Sequence, residues 1–142
     1  MIIVDKNLKR EIILDNYQNP FHFAKGDDSY IKVNTNNESC IDDLDIYFKI
    51  LENKVIDVKF SGEACAISTS ATSIMLRNLI GKTFEEIKVL LDNYKKMINE
   101  EVYDQEILKD LLVFDTICLQ PNRKNCALLP VKAIEKMMEN YN

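Results

Sequence analysis

The stretch Phe60-Ser61-Gly62-Glu63-Ala64-Cys65-Ala66-Ile67-Ser68 is where one structural pattern stops and another starts. Before it, Val55 to Phe60 alternates, with Val55, Asp57 and Lys59 set against Ile56, Val58 and Phe60, the period-2 signature of a strand. After it, residues 66–79 carry Ala71, Ile74, Met75 and Leu79 on one side, which is helical spacing. Gly62 lets the backbone turn tightly between the two. Upstream of this switch, Glu52-Asn53-Lys54 reads as a short turn joining Val55–Phe60 to a mostly apolar strand, Leu44 to Leu51, as a hairpin. A third strand, Tyr30-Ile31-Lys32-Val33-Asn34, precedes them. A helix over 7–17 is ended by Asn16 to Pro20, and 18–28 is a loop. Downstream, Gly81 punctuates, and Thr83 with Glu86 forms a capping box for a helix over 84–98. A shorter helix covers 104–113, and a last helix ends near Met138. The order predicts an α+β fold: a small three-stranded antiparallel sheet packed against helices.

The chain has 142 residues, so a single domain over 1–142 with one core is expected. Apolar residues are 46%, ample for a packed interior, and charged residues are 29%, typical of a surface facing water. A net charge of -5 with scattered cations excludes nucleic acid as the main partner, because phosphate binding needs a basic face. No apolar run approaches the roughly 18 residues of a membrane span. The N-terminus, Met1-Ile2-Ile3-Val4-Asp5, lacks the basic-then-apolar pattern of an export signal, so a cytoplasmic location is expected. Four cysteines in such a chain point to metal or thiol chemistry rather than a disulfide framework.

Cys40 and Asp42 sit where a polar, turn-like segment runs into a strand, and residues two apart in extended chain face the same side. They can share one metal, or they are a buried thiol beside a surface acid. Cys65 falls near a helix start, where the dipole and free N–H groups favour a thiolate; a plain core cysteine is the competing reading. Cys126 follows Pro121-Asn122-Arg123-Lys124-Asn125, a basic approach to the final helix, and is expected near a helix start. Pro130 cannot donate to the carbonyl of Cys126, so either the regular helix begins close to Pro130 or Cys126 lies in a distorted first turn. Cys118, within Thr116-Ile117-Cys118-Leu119, reads as a packed position rather than a fifth ligand. His22, between two phenylalanines, reads as a surface or packing histidine. Three thiolates and one carboxylate complete a four-ligand shell for a borderline-soft cation such as zinc. No CxxC or HExxH occurs, so spacing alone leaves this shell as one possibility.

These segments resemble the U-type (IscU/NifU-like) iron–sulfur scaffold family, and most closely its SufU branch. The resemblance runs from the first helix to Lys136. It rests on Asn16-Tyr17-Gln18-Asn19-Pro20, Cys40-Ile41-Asp42, the stretch around Cys65 quoted above, Arg123-Lys124-Asn125-Cys126-Ala127-Leu128-Leu129, and Lys132-Ala133-Ile134-Glu135-Lys136. It implies that Cys40, Asp42, Cys65 and Cys126 are the metal ligands and that the metal is zinc, with an iron–sulfur cluster on the same residues as the alternative. It also implies a SufU-type helical insertion, here around 92–118. Asn125 stands where IscU-type scaffolds carry histidine, and Arg123 matches an arginine of the SufU pattern. Three positions depart from the family: Ile41 replaces a glycine, Pro130 replaces a good helix former, and Cys118 is extra. The function implied is that of a zinc-dependent sulfurtransferase. Cys40 would accept persulfide sulfur from a PLP-dependent, SufS-like cysteine desulfurase and pass it to downstream iron–sulfur assembly proteins, with Arg123 contacting the persulfide or the partner. A scaffold that assembles a [2Fe-2S] cluster, and a structural zinc protein with no transfer role, are the alternatives.

Overall fold

The computed structural model describes residues 5–141; residues 1–4, which carried most of the export-signal reading, and residue 142 lie outside them. Helix α1 (Lys6–Gln18) is followed by three strands, β1 (Ile31–Asn36), β2 (Asp43–Leu51) and β3 (Lys54–Glu63). They form an antiparallel meander in the order β1-β2-β3, joined between β2 and β3 by a tight turn in which Glu52 and Asn53 both take positive φ. The fold is α+β, as expected.

The alternation within β3 is not regular. Lys49 pairs with Asp57 but Ile50 pairs with Val55, so Ile56 is an extra residue on β3. This bulge turns Val55 inward together with Val58 and Phe60, whereas strict alternation put Val55 on the opposite side.

Beyond the sheet come α2 (Ala66–Arg77) and α3 (Phe84–Ile98), the latter with the Thr83–Glu86 capping box formed in both directions. The helix expected over 104–113 is a single α-turn, α4 (Gln105–Leu108), continued by a 3-10 helix over Lys109–Phe114. Lys109, at φ 49°, is where the helix changes type. A 3-10 turn, Ile117–Leu119, leads to α5 (Pro121–Ala127) and α6 (Leu129–Tyr141).

The break between α5 and α6 is the work of Pro130. It falls in the first turn of α6, where a missing N–H costs nothing, and so the regular helix begins beside it. The carbonyl of Ala127 at the break accepts from the buried Tyr94 hydroxyl at 2.7 Å. One apolar cluster joins the sheet's inner residues Val33, Leu44, Ile46, Phe48, Val58 and Phe60 to the helices. Thr35 of β1 donates to the carbonyl of Leu129 at 3.0 Å, pinning the start of α6 to the sheet. Among the described residues no helix is long and apolar enough to cross a membrane.

Candidate metal centre

The end of β1, the start of β2 and the end of β3 lie side by side, since Asn36 pairs with Asp43 and Asp43 with Glu63. Segments leaving this edge of the sheet therefore converge. The β1–β2 loop, residues 37–42, brings Cys40 and Asp42; the β3–α2 corner brings Cys65; α5 brings Cys126. One donor atom from each of these four residues lies within 4.8 Å of every other, an arrangement that can hold a metal ion. Tetrahedral zinc with sulfur at ~2.3 Å spaces its sulfurs by about 3.8 Å. The four donors therefore need only a short inward movement to close on such an ion, and three soft sulfurs with one oxygen suit it chemically.

Cys40 and Asp42 do not lie in extended chain. They belong to a closed loop in which the Cys40 N–H donates to Asn37 O at 3.0 Å and the Asn37 N–H donates to Asp42 O at 3.1 Å. The intervening Ile41 is 69% exposed, and it is not among the residues with positive φ, so no glycine is required there. Cys65 is the N-cap of α2, as its position after Gly62 suggested, and its sulfur accepts from the Ser68 N–H at 3.4 Å. Gly62 itself, at φ 123°, is a position where glycine is needed: a Cβ would stand 2.3 Å from the carbonyl oxygen of Asp43.

Cys126 departs from expectation. It lies in the last turn of α5, not at a helix start, because Pro130 moved the start of the long helix downstream of it. Its thiol is buried. Burial pushes its pKa up to about 12, reinforced by the neighbouring Cys65 and Asp42, although Ser68 opposes the shift. Arg123, one turn earlier on α5, is exposed; its hydrogen bond to Cys126 and the charge of Cys65 raise its own pKa.

Asp42 is buried, which by itself would raise its pKa. The Ser68 hydroxyl and the Cys65 N–H, the latter at 2.8 Å, donate to its carboxylate and hold the pKa below the ordinary value. The carboxylate is thus charged and aimed before any cation arrives.

Two residues that shape the centre carried no signal in the sequence reading. Ser68 is fully buried and serves both Asp42 and Cys65; its position three residues after the N-cap was the available hint. Asn37 is buried and its side-chain amide donates to Cys126 Sγ at 3.6 Å. Cys118 lies outside the cluster, with its sulfur 3.7 Å from the carbonyl of Asp115. His22 is outside it too. Its Nδ1 is 2.9 Å from the carbonyl of Val58 and its ring stacks on Phe21 at 3.8 Å.

A small α+β domain that gathers three thiols and a carboxylate from three distant segments at one edge of its sheet defines a class of thiol-rich metal-binding protein. Within that class the family model described as NifU-like N terminal domain matches residues 8–142, and the chain belongs to that family. It is 34% identical over 141 residues to the iron–sulfur cluster assembly scaffold protein IscU of Thermotoga maritima, covering 99% of both chains. It is equally 34% identical over 130 residues to the zinc-dependent sulfurtransferase SufU of Bacillus subtilis, covering 91% of this chain and 88% of that one. A solved structure from Fervidobacterium islandicum, provisionally named an iron–sulfur cluster assembly scaffold protein for the SUF system, superposes with a TM-score of 0.85. It is 32% identical and covers 89% of this chain and 93% of its own. The family resemblance read from the five stretches agrees with these matches.

Proposed function

We propose that this protein is a cytoplasmic, zinc-dependent sulfur acceptor that takes persulfide sulfur from a cysteine desulfurase and hands it to downstream proteins of iron–sulfur cluster assembly. The observation that carries the proposal is the convergence of Cys40, Asp42, Cys65 and Cys126 to within 4.8 Å, and we assign these four as the metal ligands. Kinship with a relative named a zinc-dependent sulfurtransferase supports the choice of metal and reaction. A zinc ion held there would keep the thiols deprotonated and muted as nucleophiles.

The donors are unequal in a way that favours Cys40 as the acceptor. Asp42 and Cys65 each accept hydrogen bonds from α2 or its cap, and Cys126 accepts from Asn37. Among the described residues no N–H or O–H donor reaches Cys40 Sγ, and Cys40 stands on a surface loop while Cys126 is buried. Cys40 can therefore leave the centre by rotation of its side chain, with Asp42 and the rest of the loop in place. Its thiolate attacks the terminal sulfur of the partner's persulfide. A sulfur–sulfur bond forms on Cys40, the partner's sulfur–sulfur bond breaks, and the electron pair departs on the partner's thiolate. The exposed guanidinium of Arg123 stands near these thiols and favours the anionic persulfide.

The test is elemental analysis of protein purified without added metal, then incubation with a desulfurase and cysteine, with trapped persulfide mapped by mass spectrometry. One equivalent of zinc and sulfur on Cys40 are expected. Sulfur carried equally well by folded Cys40→Ser protein would remove Cys40 from this role. The second reading, a scaffold on which a cluster is built, draws on the relative named IscU. It would replace the first if the wild-type protein gained no sulfur but took up iron and sulfide with visible absorbance.

A further inference from the structure

Asn37 is 7% exposed, and nearly every polar atom it has is committed to the centre. Its backbone N–H donates to the carbonyl of Asp42 at 3.1 Å, and its backbone carbonyl accepts from the N–H of Cys40 at 3.0 Å. Its side-chain oxygen accepts from the Ser39 N–H at 3.2 Å and the Ser39 hydroxyl at 3.1 Å, which fixes the turn that carries Cys40. Its side-chain nitrogen reaches across to Cys126 Sγ at 3.6 Å. One residue thus dictates the shape of the loop that holds two of the donors and ties that loop to a third donor on α5.

We infer that Asn37 is a positioning residue: it seats the Cys40–Asp42 loop on Cys126 and keeps Cys126 as the retained ligand while Cys40 is released. This rests on the functional reading above. The physical ground is the N–H···S bond, which withdraws electron density from the Cys126 sulfur and lowers its nucleophilicity. Cys40 has no such donor, so Asn37, from a nearly buried position, adds to the asymmetry between the two thiolates alongside the Arg123 guanidinium that also bonds Cys126. A hydrogen-bonded sulfur held by a fixed amide also resists rotation away from its place, whereas the Cys40 side chain is free to rotate outward while the loop stays seated. Polar partners behind a ligand typically govern metal affinity by about 10- to 100-fold.

Two substitutions separate this role from general support of the fold. Asn37→Ser keeps a side-chain oxygen at the right place to accept from the Ser39 N–H, so the turn persists, but a serine cannot reach Cys126. Asn37→Asp keeps the volume and the acceptor and replaces the amide donor with an oxygen that repels the sulfur. The first readout is the absorption of the cobalt(II)-substituted protein, whose thiolate charge-transfer band moves to longer wavelength when a hydrogen bond to sulfur is lost. The second is zinc affinity by competition with a chromophoric chelator, expected to weaken about 10- to 100-fold. The third is the location of trapped persulfide after a desulfurase reaction, expected to spread from Cys40 alone to Cys40 and Cys126. Circular dichroism establishes that each variant is folded, and because the two variants make different demands on the loop, one of them suffices. An unshifted cobalt band with unchanged zinc affinity in a folded variant would overturn the role of Asn37 and leave the sulfur-acceptor reading standing. A wild-type protein that bound neither zinc nor cobalt would overturn both.

Discussion

Ser68 gives its hydroxyl to Asp42 and its backbone N–H to Cys65, so one buried residue serves two of the four donors. Ser68→Ala leaves the buried carboxylate short of a partner. The apo protein should lose about 1–3 kcal/mol in chemical denaturation, the range for a buried acceptor left unsatisfied. The cysteines divide sharply in what their loss should do. Cys126→Ser or Cys65→Ser removes a donor from a centre whose metal contributes on the order of 10 kcal/mol of apparent binding free energy coupled to folding. Thermal unfolding of the zinc-loaded protein should drop well below wild type in either variant. Cys118→Ser should stay close to wild type and keep its zinc, because its sulfur lies outside the cluster and donates to the carbonyl of Asp115. A Cys118→Ser protein that lost zinc would overturn the ligand assignment. At this scale the sequence was readable where residue type alone announces chemistry, as it does for thiols and for a nearby carboxylate. Ser68 and Asn37 were not readable, because serine and asparagine are common turn and cap residues and only the tertiary fold brings these two against sulfur.

Elements with their own local rules were legible, and those decided by distant contacts were less so. Helix α3 runs over Phe84–Ile98, the range its capping box and periodicity predict. The strands were placed correctly in order, but the bulge at Ile56 escaped the alternation, since a bulge is fixed by pairing with β2 and leaves no mark on β3 alone. The interval 104–113 offered helical spacing, yet Lys109 converts it to a 3-10 helix after one α-turn. Pro130 announced a break; that a separate short helix, α5, would precede it and hold Cys126 in its last turn was not legible, and at the break the Tyr94 hydroxyl donates to the carbonyl of Ala127. The β3–α2 corner yields the element-scale prediction. Gly62→Ala sets a methyl 2.3 Å from the Asp43 backbone at positive φ, so β2 must move next to Asp42. A cost of at least about 1–3 kcal/mol is expected, with weakened zinc binding. Gly81→Ala, also at positive φ but with no atom within 4 Å, should destabilise less and leave zinc affinity unchanged. Urea denaturation and chelator competition on the two variants make the comparison.

The whole molecule responds to pH through groups whose folded pKa values depart from their ordinary ones. In the metal-free protein, burial holds the Cys126 pKa at about 12 against an ordinary 9.0. The folded state then keeps a proton that the unfolded chain releases. This contribution is complete below pH 9 and is lost as pH rises towards 12. Tyr30, raised to about 12 chiefly by its hydrogen bond to Asp57, and Tyr94, raised by burial, act in the same direction. Asp42 is the opposite case: its lowered pKa adds stability above the ordinary 3.8 that disappears as pH falls through the folded value. Denaturation of apo protein across pH 8–12 should show stability declining, and apo Cys126→Ser should decline less steeply. Metal inverts the sign at the thiols, since each must give up its proton to bind, so zinc affinity should rise with pH over the range where the apo protein weakens. The three chain segments that supply the donors have a consequence in time as well as in space. Cys40 and Cys65 leave a ribosome long before Cys126, and the long intervening stretch includes the Ile117–Leu119 turn, against which α5 packs together with α2. A nascent or truncated chain that ends before Cys126 offers two of the centre's three thiols and no closed centre. Capture of a metal ion then certifies that synthesis and folding have both reached completion, and an assembly partner that docks only on the loaded form would be screening for finished molecules.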